Sequence, residues 1–213
     1  ASRMASGSIQ SLTYAFTLMV MAQAVIAQSV AIAAMPTFSA QHALGKVDEM
    51  RSSLASALRG IFLLALPASV GLILLAQPIV SMLFERGEFS ATTTAMTSWT
   101  LMWFAAGLVG HSVMEVLTRA FFAQQDTKTP VLIGAAAMGL NVLFSILFSL
   151  WFRQIGWFPV GGLAFANSLA TALEATALFI VMRGRLHGLH GSMLLNGFAR
   201  CARAAFAMGI VLW

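Results

Sequence analysis

The chain has 213 residues, of which 59% are apolar and 9% charged, and its mean hydropathy is +0.86. So few charges cannot cover a soluble domain, which carries about 25%, and so much apolar content excludes disorder. A spanning helix needs about 20 apolar residues, so the length predicts an all-α, polytopic membrane protein of about six spans.

A single cysteine, Cys201, excludes a disulfide framework and a Cys-based metal cluster. The first residues have no signal-peptide layout. At the other end, the uncharged run 204–213 stops after ten residues, only about 15 Å of helix, or half a bilayer. The expectation is a piece of a longer protein.

Charges punctuate the chain. Helix A is expected at about 9–36, stopping at Pro36. Helix B covers about 52–84 behind an amphipathic lead-in carrying Asp48, Glu49 and Arg51. Helix C covers about 91–123, with Glu115 and Arg119 in its second half. Thr129-Pro130 opens helix D at about 130–152. Helix E covers about 160–183, and helix F starts near Met193 and is cut. The expected units are 1–192, a transmembrane bundle, and 193–213, the start of the next span.

Basic residues set the topology. Lys46, Arg51, Arg59, Arg119, Lys128, Arg183, Arg185, Arg200 and Arg203 follow A, C and E, while Arg3, Arg86 and Arg153 lie on the other side. Nine against three places the loops near 37–59, 123–129 and 183–200 in the cytoplasm. His187 and His190, beside Arg183 and Arg185, read as a basic turn facing anionic membrane lipid. No basic soluble face exists for a nucleic acid.

An ionised group in hydrocarbon costs about 2.5–3.5 kcal/mol on insertion scales, so each polar residue in a span needs a reason. Gly107, His111, Glu115 and Arg119 recur at steps of four on helix C, with Glu115 placed for an ion pair to Arg119. The stripe reads either as the lining of a polar cavity or as a self-neutralised pair that fixes helix depth. Helix D carries Gly134, Met138, Asn141, Ser145 and Ser149 on one face. Helix E carries Asn167, Thr171 and Glu174 beside Gly162, Ala166 and Ala170. Small residues permit close helix approach, while Asn141, Asn167 and Glu174 are candidates for a cavity or for interhelical pairing. Pro67, Pro78 and Gly107 are candidate hinges. His111 and Glu115 do not form the H-E-x-x-H zinc pattern, and neither a nucleophile elbow nor a phosphate loop occurs. Neither an enzyme nor a resident metal or cofactor is expected.

Five segments carry a resemblance. They are residues 7–15, ending in Tyr14-Ala15; 66–72 with Pro78; 83–89; 115–123 followed by Asp126-Thr-Lys-Thr-Pro130; and 161–169. Together they resemble the MurJ (MviN) family of lipid II flippases, of the MATE-like exporter superfamily. The resemblance implies two six-helix bundles facing a central cavity, this chain being most of the second and the N-terminal bundle its missing partner. It also implies lipid II, an undecaprenyl-pyrophosphate-linked precursor, as cargo. Movement across the bacterial inner membrane would be by alternating access, driven by membrane potential or an ion gradient. Many members carry an Arg shortly after Tyr-Ala, where this chain has Thr17, and a Pro where it has Ala22. The cationic contact to pyrophosphate is then expected from the missing bundle. A MATE-like exporter of another polyprenyl-linked saccharide or amphipathic compound, and a scaffold for cell-wall enzymes, stand as alternatives.

Overall fold

A computed structural model describes residues 8–84, 91–186, 188 and 191–212. The described residues are helical, without strands. The expected basic residues Arg3 and Arg86 and the histidines 187 and 190 lie outside them.

The first helical stretch, Ser8–Ala43, runs as α1 (Ser8–Gln23), a π-helical turn (Ala24–Gln28) and α2 (Ser29–Ala43). Pro36 does not stop it, contrary to the sequence expectation. Proline removes one backbone bond, but Phe38, fully buried beyond it among Leu54, Leu58 and Phe121, anchors the last turns. The π turn marks a wider winding in mid-rod, where Ser29 Oγ donates to the Val25 carbonyl.

Helix B is two helices, α3 (Val47–Leu74) and α4 (Ala76–Phe84). The break at Leu75 lies just beyond Leu74, the residue four before Pro78, where a proline ring clashes with the backbone carbonyl. Pro67, in contrast, sits inside continuous α3. Helix C is α5 (Ala91–Ala106) and α6 (Leu108–Ala123), bent by 46° at Gly107. Then come α7 (Lys128–Gln154), α8 (Pro159–Arg185) and α9 (Gly191–Leu212). Four helical stretches are long and apolar enough to cross a membrane, and the bent α5–α6 pair makes a fifth. α9 carries Arg200 and Arg203 in its middle.

Of the nine basic residues expected on one side, Arg51, Arg59, Arg119, Lys128, Arg183, Arg185, Arg200 and Arg203 belong to helices and only Lys46 to a loop. Their long stems let the charge leave the apolar layer from within a helix, which a count by loop overlooks.

Two apolar clusters fill the bundle. One joins Phe38, Leu54, Leu58, Ile61, Leu117, Phe121 and Leu178. The other joins Met19, Val80, Leu101, Phe104 and Leu108. Hydroxyls lie among the packed helices: Ser69 Oγ donates to the Ala105 carbonyl at 2.7 Å, and Ser168 Oγ to the Trp103 carbonyl at 2.7 Å. Small residues bring α8 against its neighbours, as expected from the stripe Gly162, Ala166 and Ala170, all buried. A Cβ on Gly162 would meet the Phe148 carbonyl of α7 at 2.6 Å.

Candidate functional site

α7 packs along α8 and leaves most of its own surface open, with Met138, Val142 and Ile146 all at least 60% exposed. Where α7 and α8 meet α1 and the end of α5, a groove of about 380 Å³ opens. Its polar lining is Thr13, Asn141, Ser145 and Asn167, and its apolar lining is Leu12, Phe16, Phe104 and Leu163. Periodicity explains the convergence: Asn141 and Ser145 are one turn apart on α7, while Asn167 lies beside the small residues that hold α8 close.

Both carboxamide oxygens are engaged by neighbouring side chains. His111 Nε2 of α6 lies 3.0 Å from Asn167 Oδ1, and Ser145 Oγ donates to Asn141 Oδ1 at 3.1 Å. Thr13 donates to the Ile9 carbonyl at 2.9 Å. Phe16 meets Phe104 edge-on, with ring centroids 5.4 Å apart. Among the described residues the groove is thus an apolar slot lined by amide and hydroxyl groups and by no charged residue.

The other expected site residues sit elsewhere. Thr17 is exposed, its hydroxyl bonded to the Thr13 carbonyl of its own helix at 2.8 Å, and it does not line the groove. Arg119 Nη2 pairs with Glu115 Oε1 at 3.0 Å along α6, also away from the groove. Glu174 extends across to α7, where its Oε1 would stand 3.1 Å from a Cβ on Gly134, so the glycine makes room for the carboxylate. Gly107 is buried at the α5–α6 bend and packs on Ser168, so it belongs to a helix contact and not to an open stripe with His111.

Two features escaped the sequence reading. One is an aromatic cluster, in which Trp103 packs on Trp99, Phe152 and Phe165 at centroid distances of 4.9 to 5.7 Å. The spacing Trp99–Trp103 at i, i+4 was its only signal. The other is a polar clasp tying helix ends together. Asp126 Oδ1 accepts from the backbone N–H of Lys128 and Thr129 at 3.0 Å each and so caps α7, which starts two residues earlier than expected. Asp126 Oδ2 accepts from Thr129 Oγ1 at 2.6 Å and pairs with Arg185 Nη2 at 2.5 Å. The Thr129 hydroxyl and backbone bonds, with Arg185 adding to them, bring the Asp126 carboxyl down to about 2. Arg185 also covers the Phe121 ring at 5.2 Å, and Arg51 of α3 donates twice to the Leu186 carbonyl at the end of α8. The three loops expected on one side of the membrane thus meet at one end of the bundle.

Comparison with known proteins places this geometry. A sequence model described as lipid II flippase MurJ matches residues 1–213. The chain is similar to a probable lipid II flippase MurJ of Haemophilus influenzae, 31% identical over 221 aligned residues, which cover 100% of this chain and 42% of the relative. It is similar to the lipid II flippase MurJ of Burkholderia cenocepacia at 31% identity, over 100% of this chain and 40% of the relative. Among solved structures, a lipid II flippase MurJ in an inward closed conformation superposes with a TM-score of 0.80 at 24% identity, covering 96% of this chain and 41% of that one. That likeness is one of fold. The chain spans about two fifths of the length of these relatives.

Proposed function

The chain belongs to the MurJ family of lipid II flippases, and from that premise we propose that it forms one lobe of a transporter carrying lipid II from the cytoplasmic to the outer leaflet of the bacterial inner membrane. The observation that carries this reading is the neutral polar groove on an otherwise apolar helix surface. Polar groups in a span are costly unless they serve a cavity or a partner. In this reading the groove faces a second lobe, supplied by the rest of the protein, and receives part of the lipid II headgroup between them.

Among the described residues the groove lining has no cation, and Thr17 replaces the expected Arg. We therefore assign the pyrophosphate contact to the facing lobe. The clasped end of the bundle is the cytoplasmic one, in keeping with the basic residues Lys46, Arg51, Lys128, Arg183 and Arg185 there. The breaks at Leu75 and Gly107 supply the hinges of alternating access. Membrane potential or an ion gradient drives the cycle, with neither catalytic chemistry nor a resident cofactor.

The test is complementation of a flippase-depleted strain with the intact gene. Restored growth, with lipid II accessible from outside, supports the reading. Asn141→Leu with Asn167→Leu in the same gene is expected to abolish rescue at normal membrane levels. Lysis with lipid II held inside, in cells carrying the unaltered gene, rejects it.

A further inference from the structure

We infer that His111 is a positioning residue that turns the Asn167 carboxamide with its N–H groups toward the groove, so that the groove recognises neutral hydrogen-bond acceptors. This rests on the reading that the groove meets the lipid II headgroup.

His111 is only 8% exposed and stands behind Asn167 on a different helix. Its Nε2 lies 3.0 Å from Asn167 Oδ1. A carboxamide oxygen has no hydrogen to give, so Nε2 carries the proton. With Oδ1 engaged, the two donors on Nδ2 are what Asn167 offers the groove. Asn141 repeats the arrangement, its Oδ1 taken by the Ser145 hydroxyl. Two carboxamides in one slot are thus both held by the oxygen and both present nitrogen.

An unsupported carboxamide can rotate by half a turn and offer its oxygen instead. Support from behind removes that choice, and a site built to donate rejects a ligand lacking an acceptor. Among the described residues the lining carries no charge that would favour an anion. Phe16 and Phe104 add an apolar wall suited to C–H faces. The chemistry matches amide carbonyl or ring oxygens, which both the acetamido sugars and the peptide of a lipid-linked headgroup carry.

The experiment uses the intact protein in detergent or nanodiscs, with four forms: unaltered, His111→Leu, His111→Gln and Asn167→Asp. Affinity is measured for lipid II and for the same lipid without its peptide, alongside melting midpoints and the ¹⁵N signals of the His111 ring. A Gln amide nitrogen can stand where Nε2 stood, so His111→Gln is expected to bind within about twofold of the unaltered protein. His111→Leu and Asn167→Asp are expected to bind about tenfold more weakly, with folding retained. The ring signal is expected to show hydrogen on Nε2. A His111→Leu defect that persists with the peptide-free lipid assigns the acceptor to the sugar; a defect confined to the full headgroup assigns it to the peptide. Equal affinities of unaltered and His111→Leu protein, failure of His111→Gln to rescue, or hydrogen on Nδ1 alone would each overturn the inference. Unaltered protein that does not bind lipid II while Nε2 carries hydrogen removes the cargo reading and leaves the orientation of Asn167 standing.

Discussion

Ser168 of α8 donates to the carbonyl of Trp103 on α5, 2.7 Å away. That carbonyl is the one vacated at the bend. Gly107 N–H bonds to the Phe104 carbonyl, three residues back, and not to Trp103. A break inside a membrane must have its loose backbone groups satisfied by protein, and here a serine from the next span does so. The bend at Gly107 and the packing of α8 are therefore one feature.

Ser168→Ala is expected to leave the Trp103 carbonyl unsatisfied and to destabilise the bundle by about 1–3 kcal/mol. Gly107→Ala is expected to cost a similar amount through steric conflict, because its Cβ would lie 2.3 Å from Ser168 Oγ and 2.9 Å from Ser168 Cα. Thermal unfolding of the detergent-solubilised variants checks both. An unchanged midpoint for Gly107→Ala would mean that α8 can withdraw from the bend.

The clasp has a pH signature. Asp126 is lowered from 3.8 to about 2 in the folded chain, chiefly by Thr129. A depressed carboxyl stabilises the fold above its unfolded pKa, and that contribution is lost as pH falls through the folded value. The melting midpoint of the unaltered protein should exceed that of Asp126→Asn by a constant margin above about pH 5. The margin should shrink between pH 3.8 and about 2. A margin that stays constant across this window would show that the carboxylate charge is not what holds the clasp.

Gln125 sits at φ +58°, next to the end of α6. The Asp126 N–H returns to the Phe121 carbonyl and the Gln125 N–H to Phe122, the bonding of a Schellman turn, where glycine is preferred. A left-handed backbone costs an ordinary residue about 1–2 kcal/mol. Gln125→Gly should therefore raise stability by about 1 kcal/mol, measured by the same unfolding assay.

Glu115 and Arg119 neutralise one another within α6, with side chains 19% and 33% exposed. Either Glu115→Gln or Arg119→Gln alone strands a charge in the span. The double substitution should cost less than the two single losses added together, by at least about 0.5 kcal/mol in a double-mutant cycle. Strict additivity would mean that solvent screens the pair.

Local chemistry made part of this legible beforehand. Gly162, Ala166 and Ala170 of α8 announced close packing, and the five resembling segments named the family that the whole-chain match establishes. Asn141 and Asn167 stood out as polar residues in apolar helices, and both line the groove. The Glu115–Arg119 pair stood out for the same reason and does not, nor does Thr17, which was singled out because it stands where the resembling family carries an Arg. Polarity in a span signals that a group needs a partner, without saying whether its own helix supplies it. Thr17 and Arg119 found theirs within one turn, whereas Asn167 found His111 fifty-six residues away.

The sequence by itself determined an all-helical membrane chain with five full spans, because hydropathy and charge punctuation act over a single helix. Only the tertiary structure decided where those spans break and which polar groups meet. A proline's effect depends on its neighbours: α2 passes Pro36 because Phe38 is gripped beyond it, while the chain breaks before Pro78. A carboxamide's direction depends on what bonds it from behind, and that partner sits on another helix.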